Sequence, residues 1–289
     1  MHPRLTASMA LTQEELDFQL SPSQSAKDAA GDLSRMVART EMARTDPAIT
    51  STVDIAYGTR PRQRLDLYRP ASASNAVLPC LVFIHGGFWQ EGDKSVSGFA
   101  AKTFCDLGWA YVSVGYTLTP EISLTGLTEE IYQALAFLNA QAAEWGIDPQ
   151  RIVLAGHSAG GHLAACVLAD VLKRGVGGGL AGAVLISGVY ELAPIAKSYV
   201  NDLARIDARE LQELSPLRHV PRSDIPVHLL IGADEPTAFQ LQSDALKEVW
   251  LPDLSQLTSD VAVGRDHFDV LEELNDPASP TMQVIRSMV

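Results

Sequence analysis

The spacing of apolar and polar positions changes along the chain, and each change predicts an element. Residues 1–50 are polar, alanine-rich and helix-prone, with breaks at Ser21-Pro22 and Asp46-Pro47. They read as an N-terminal helical arm, residues 1–51, ahead of a main domain over 52–289. T-V-D-I-A-Y-G and R-L-D-L-Y-R-P place apolar residues at alternate positions, as a starting hairpin does. L-V-F-I at 81–84 is wholly apolar, which a central strand covered on both faces requires. Residues 95–107 have helical spacing, and A-Y-V-S-V-G-Y at 110–116 is the next strand. A helix is expected from Thr128 to Trp145, with Ile131, Leu135 and Leu138 on one face and Glu129 and Glu130 in its first turn.

The same alternation continues to the end. R-I-V-L-A at 151–155 is a strand, followed by a helix over Leu163–Leu172. Strands are expected at 181–187, 226–232 and 258–263, with helices at 238–249 and 268–274. Gly175 to Gly182, G-V-G-G-G-L-A-G, reads as a flexible connection. Alternating strands and helices predict an α/β domain with a mostly parallel central sheet and helices on both faces. Residues 190–224, with Tyr190, Pro194, Tyr199, Pro216 and Pro221, interrupt the rhythm. An insertion there lies above the C-terminal ends of the strands, where open sheets bind ligands, and is read as a small lid.

Candidate chemistry sits at these strand ends. Residues 154–163 read L-A-G-H-S-A-G-G-H-L. Ser158 follows a strand, precedes a helix and has Gly156 and Gly160 two residues to either side. A serine forced into a tight strand-to-helix turn needs small residues there, and G-x-S-x-G is that pattern. A serine hydroxyl becomes a nucleophile when a base takes its proton. His267, in G-R-D-H-F beyond the last strand, is placed for that task; His219 falls in the lid and His228 inside a strand. The acid that orients the base is expected in G-A-D-E, at the end of strand 226–232. Position leaves both Asp234 and Glu235 open. Asp266, next to the histidine, reads as a solvated side chain. The oxyanion needs N–H donors: one from Ala159, the others from H-G-G-F-W at 85–89. His85 and His162 read as structural braces.

Composition narrows the setting. Apolar residues make up 46 % of the 289, enough for a large core. The formal charge of −13 argues against nucleic acid or an anionic membrane as partner. Cys80, Cys105 and Cys166 have no C-x-x-C spacing, and Cys80 and Cys166 lie in apolar stretches. They fit a reducing compartment, and with no signal peptide at M-H-P-R-L-T-A-S-M-A the expected location is the cytoplasm.

The ordered set of motifs resembles the α/β-hydrolase superfamily, and within it the arylformamidases (kynurenine formamidases) and their bacterial esterase relatives. The resemblance spans roughly residues 52–272. It rests on L-D-L-Y at 65–68, H-G-G-F-W, G-H-S-A-G-G-H-L, S-G-V-Y-E-L at 187–192, L-S-P-L at 214–217, G-A-D-E-P-T-A-F at 232–239 and H-F at 267–268. It implies an α/β-hydrolase fold and a catalytic Ser158, His267 and Glu235 in preference to Asp234. It also implies an oxyanion hole from Gly87, Phe88 and Ala159, with no metal or cofactor. The implied reaction is cleavage of N-formyl-L-kynurenine to formate and L-kynurenine through a formyl-serine. Glu235-Pro236-Thr237 departs from the family's usual pattern after the acid. The aromatic leaving group calls for apolar walls, for which Phe88, Trp89, Tyr116, Tyr190 and Phe239 are candidates. A homodimer follows only by analogy. A carboxylesterase for small aryl or acyl esters would use the same residues, and only kinetics separates the two. A non-catalytic binding protein of this fold usually lacks the serine or the histidine, and here both are present.

Overall fold

The apolar runs pair into one eight-stranded sheet, seen in a computed structural model that describes residues 2–73, 76–175, 179–221 and 224–289. The strands are β1 (Ile49–Ala56), β2 (Arg64–Pro70), β3 (Leu78–Ile84), β4 (Ala110–Val114), β5 (Ile147–His157), β6 (Gly182–Ile186), β7 (Val227–Gly232) and β8 (Leu257–Ala262). Their order is β1-β2-β4-β3-β5-β6-β7-β8. β1–β2 and β2–β4 pair antiparallel, and all later pairs are parallel. This is the α/β-hydrolase sheet, and the C-terminal ends of its parallel strands share one edge.

Period two explains why β3 is apolar throughout. Leu81 and Phe83 pack on one face with Tyr68, Tyr111, Val153 and Val184. Cys80, Val82 and Ile84 pack on the other with Leu154 and Leu185. Both faces are covered, so neither set of positions can be polar.

Four helices make up the arm: α1 (Pro3–Ala10), α2 (Gln13–Gln19), α3 (Pro22–Ser25) and α4 (Ala29–Thr45). Thr12 and Glu15 form a reciprocal capping box at the start of α2. The sheet begins at Ile49, so the arm ends slightly ahead of residue 51. The remaining helices are α5 (Ala101–Asp106), α6 (Leu124–Gln141), α7 (Ala159–Leu168), α8 (Ala193–Lys197), α9 (Asn201–Ala204), α10 (Ala208–Glu213), α11 (Thr237–Trp250) and α12 (Pro280–Ser287). α6 starts four residues before the expected Thr128 because Ser123 caps it, its hydroxyl accepting from the Gly126 N–H at 3.2 Å. α7 starts at Ala159 and ends at Leu168, four residues ahead of the expected span at each end. α12 has no counterpart among the expected elements, although Ser279-Pro280 is a helix start and Met282 and Ile285 are buried. The glycine-rich connection at 175–182 lies partly outside the described residues. Among the described residues, no helix is long and apolar enough to cross a membrane.

The segment after β6 forms α8, α9 and α10, and it docks on the arm. The Lys197 ammonium donates to the carbonyls of Met9 and Leu11 at 3.0 and 2.9 Å. The Tyr199 N–H donates to Asp17 at 2.9 Å, and its hydroxyl to the Leu20 carbonyl at 3.1 Å. Arm and insertion form one roof over the strand ends.

A buried ion cluster ties the arm to the early strands. Asp66 is fully buried and receives the Lys94 ammonium at 2.7 Å and the Arg44 guanidinium at 3.0 Å. It also accepts the Asp54 N–H at 2.8 Å. Removing one member of such a set strands the others' charge, at about 3–5 kcal/mol. Asp66→Ala is therefore expected to lower the thermal midpoint by roughly 10 °C, read by calorimetry. An unchanged midpoint would mean that Lys94 and Arg44 find other partners.

Candidate active site

Ser158 occupies the turn between β5 and α7 with φ 55° and ψ −118°. A non-glycine residue in that region costs on the order of 1–3 kcal/mol and persists only where its surroundings impose it. The imposition is visible on both sides. A Cβ at Gly156 would collide with the Gly160 carbonyl, and one at Gly160 with the Ile84 carbonyl at the end of β3. The two glycines let the strand end, the turn and the neighbouring strand close on one another.

The H-G-G-F-W loop leaves β3 against this turn. A Cβ at Gly86 would sit 3.0 Å from Ser158 Cβ. Gly87, Phe88 and Trp89 follow with φ of 109°, 46° and 62°, a run of left-handed residues that turns the backbone sharply. The Trp89 carbonyl anchors it by accepting the Thr119 N–H at 2.8 Å. The backbone N–H groups of Gly87, Phe88 and Ala159 donate to no other backbone group among the described residues.

His267 is buried, and its Nδ1 lies 2.6 Å from Glu235 Oε2. A carboxylate accepts, so Nδ1 carries the proton and Nε2 is the bare nitrogen, free to take one. Glu235 Oε1 accepts the Gly232 N–H at 2.7 Å and the Ser187 hydroxyl. Gly232 ends β7 and Ser187 follows the neighbouring β6, and the two fix the carboxylate that meets the histidine. Of the two carboxylates left open by sequence, Glu235 meets the ring. Asp234 turns outward into an ion pair with Lys27 at 2.6 Å.

Asp266 corrects a reading made from its position. It is buried, not solvated, and accepts N–H groups from Lys27 at 2.8 Å, Phe268 at 2.9 Å and Asp269 at 3.2 Å. Burial alone would raise its pKa, but these donors outweigh it and hold the carboxyl below the usual range. Asp266 thus locks the His267 loop to the arm. His157 donates from Nε2 to the His267 carbonyl at 2.8 Å, and Phe239 packs on the His267 ring at 4.4 Å between centroids.

Ser158 and His267 line one cavity of about 320 Å³. No hydrogen bond joins their side chains; such contacts are often long before substrate binds. Apolar walls come from Pro22, Leu33, Met36, Phe88, Phe268 and Leu271. Of the other expected wall residues, Trp89, Tyr116, Tyr190 and Phe239 are fully buried and do not line it. Trp89 packs edge-on against His162, and Tyr116 stacks on His85 while donating to the His85 carbonyl at 2.9 Å. Their rings fill core behind the loop. The roof also differs: the arm supplies Pro22, Ser23, Leu33 and Met36, and the segment expected as a lid only Tyr199. Sequence spacing carries no signal for that, because the arm reaches the site by packing. Ser187 was detectable, since it directly follows the strand adjacent to the serine strand.

The surrounding histidines are kept neutral. Burial pushes His85 and His162 down to about 4 and His157 well below its ordinary value. In the unfolded chain they titrate near 6.5. Below that pH the unfolded chain binds protons that the folded protein refuses, so stability falls with pH until about 4. The loss is on the order of 3 kcal/mol each for His85 and His162. The midpoint of urea unfolding is expected to decline steadily from pH 7 to 4.5. A level midpoint would mean that these rings protonate in place.

A strained serine between strand and helix, at the C-terminal edge of a sheet in this order, places the protein among the α/β-hydrolases, as a serine hydrolase of ester or amide bonds. The model of the BD-FAE family matches residues 65–173. Over 281 residues the chain is 31 % identical to a kynurenine formamidase of Danio rerio, covering 92 % of this chain and 93 % of that one. A crystal structure of a candidate thioesterase from Silicibacter sp. superposes with a TM-score of 0.82 at 33 % identity, covering 94 % of this chain and 99 % of that one. An inhibited esterase B from Lactobacillus rhamnosis superposes with a TM-score of 0.71 at 25 % identity, covering 90 and 91 % of the two chains. The chain belongs to the kynurenine formamidase family.

Proposed function

We propose that the protein hydrolyses the aryl formamide of N-formyl-L-kynurenine, releasing formate and L-kynurenine. The observation that carries this reading is the buried Glu235–His267 pair opening on the same cavity as the strained Ser158, in a chain of this family. In the proposed reaction Ser158 Oγ attacks the formyl carbon and His267 Nε2 takes the hydroxyl proton. Glu235 stabilises the resulting imidazolium. The amides of Gly87, Phe88 and Ala159 receive the oxyanion, each worth about 3 kcal/mol. His267 then returns the proton to the departing arylamine nitrogen as the C–N bond breaks. Water attacks the formyl-serine by the same route, giving formate and restoring the serine. The three buried, unpaired cysteines support a reducing compartment, the cytoplasm.

A second reading, a carboxylesterase for small esters, is favoured by the likeness to esterase B. The test is kcat/KM on N-formyl-L-kynurenine beside p-nitrophenyl acetate. A clear preference for the formamide is expected. Efficient ester cleavage with little formamide turnover would keep the catalytic residues and reject the substrate.

A further inference from the structure

The polar side chains of the cavity wall are biased in one direction. No Lys or Arg side chain lines it among the described residues. Its charged members are Glu91 and Asp93. Asp93 is already answered, by Arg62 at 3.1 Å and the Ser95 N–H at 2.8 Å. Glu91 has no ion pair or side-chain hydrogen bond among the described residues. Its stem lies against the oxyanion loop, where a Cβ on Gly87 would come 2.9 Å from Glu91 Cγ.

The imidazoles in this wall also offer lone pairs. His85 Nδ1 lies 2.8 Å from the Gly86 carbonyl, so Nδ1 holds the hydrogen. Its Nε2 is then an acceptor, and it is buried without a partner; His85 is 4 % exposed. His157 uses Nε2 as donor to the His267 carbonyl, which leaves Nδ1 as a second acceptor. A carboxylate entering beside Glu91 would meet repulsion, and the cation behind this wall, Arg62, is already held by Asp93 and the Gly92 carbonyl. An ammonium would meet a free carboxylate beside His85 and His157, which burial keeps neutral.

We infer that the cavity recognises a cationic amine on the substrate, and not a carboxylate, with Glu91 taking the charge. This rests on the formamidase reading above and narrows it: of the two charged groups of an amino-acid leaving group, the ammonium is the one held.

The experiment compares kcat/KM for N-formyl-L-kynurenine, its decarboxylated analogue and its deaminated analogue. Removing the carboxylate is expected to leave the value within a few-fold or to raise it, and removing the amine to lower it about tenfold. Glu91 is exposed on a loop, so Glu91→Gln and Glu91→Lys test the pairing without opening the core. Glu91→Gln is expected to shrink the amine-over-carboxylate preference about fivefold, and Glu91→Lys to invert it. A larger loss on removing the carboxylate, or a preference unmoved by Glu91→Lys, overturns the inference. Aryl acetates bearing an aminomethyl or a carboxymethyl group are run in parallel. If no formamide turns over, the formamidase reading fails, while the ester pair still reports whether cation or anion is preferred.

Discussion

Ser158→Ala is expected to lower kcat on any ester or amide substrate by on the order of 10⁵- to 10⁶-fold while leaving the fold intact. Losing the nucleophile of a triad costs about as much as losing the whole triad, because its members act as a unit. What remains is the modest catalysis of the oxyanion donors and of binding. The fold should not suffer, because the turn is imposed by the crowding at Gly156 and Gly160 and not by the hydroxyl. Alanine carries the same Cβ and the same positive φ, so the strain is unchanged. Circular dichroism and a thermal melt check the fold, and single-turnover kinetics check the rate. A variant that kept even a hundredth of the activity would remove Ser158 from the proposed mechanism.

Glu235→Gln is expected to lower kcat by about 10⁴, while Asp234→Asn changes it by less than a few-fold. Glu235 holds His267 Nδ1 at 2.6 Å and is itself held by Gly232 and Ser187. A glutamine there can turn its NH₂ toward Nδ1. That moves the ring proton to Nε2, the atom that must be bare to accept from serine. Loss of the correct tautomer with geometry kept is worth about 10⁴ in related triads. Asp234 only pairs with the exposed Lys27, and exposed pairs are worth about 0–1 kcal/mol. The pair of variants is read best as kcat against pH. Equal damage from both would mean that the arm position set by Lys27 matters as much as the histidine. The reverse ranking would assign the acid to Asp234.

Periodicity was a guide to the sheet because β3, β4, β6, β7 and the second half of β5 are buried on both faces, and burial writes itself into sequence as mostly apolar runs; the half-exposed start of β5, after Ile147, left no such mark. The serine turn was legible for a different reason: its glycines are demanded by backbone collisions, which no side-chain substitution can evade. Helix bounds were less legible. Ser123 and Ser279 are good caps, but a serine has many other uses, so α6 was placed late and α12 not at all. The two carboxylates at 234 and 235 could not be separated by position, since one residue of register decides which points inward. The cavity wall was the least legible part. Trp89, Tyr116, Tyr190 and Phe239 are aromatic and near the site in sequence, yet their rings fill core. Pro22, Leu33 and Met36 carry no local mark of their place.

The bond between the Lys27 N–H and Asp266 also has a bearing on how the protein is made. Its two ends are 239 residues apart in the chain. At roughly 5–20 residues per second, synthesis separates them by about 10–50 s. For that interval the arm exists without the loop that fastens it, and α4 has no finished sheet to cover. The cavity therefore closes on a nascent chain only after residue 266 has been made. Hydrolytic competence waits on the synthesis of the loop that carries Asp266 and His267.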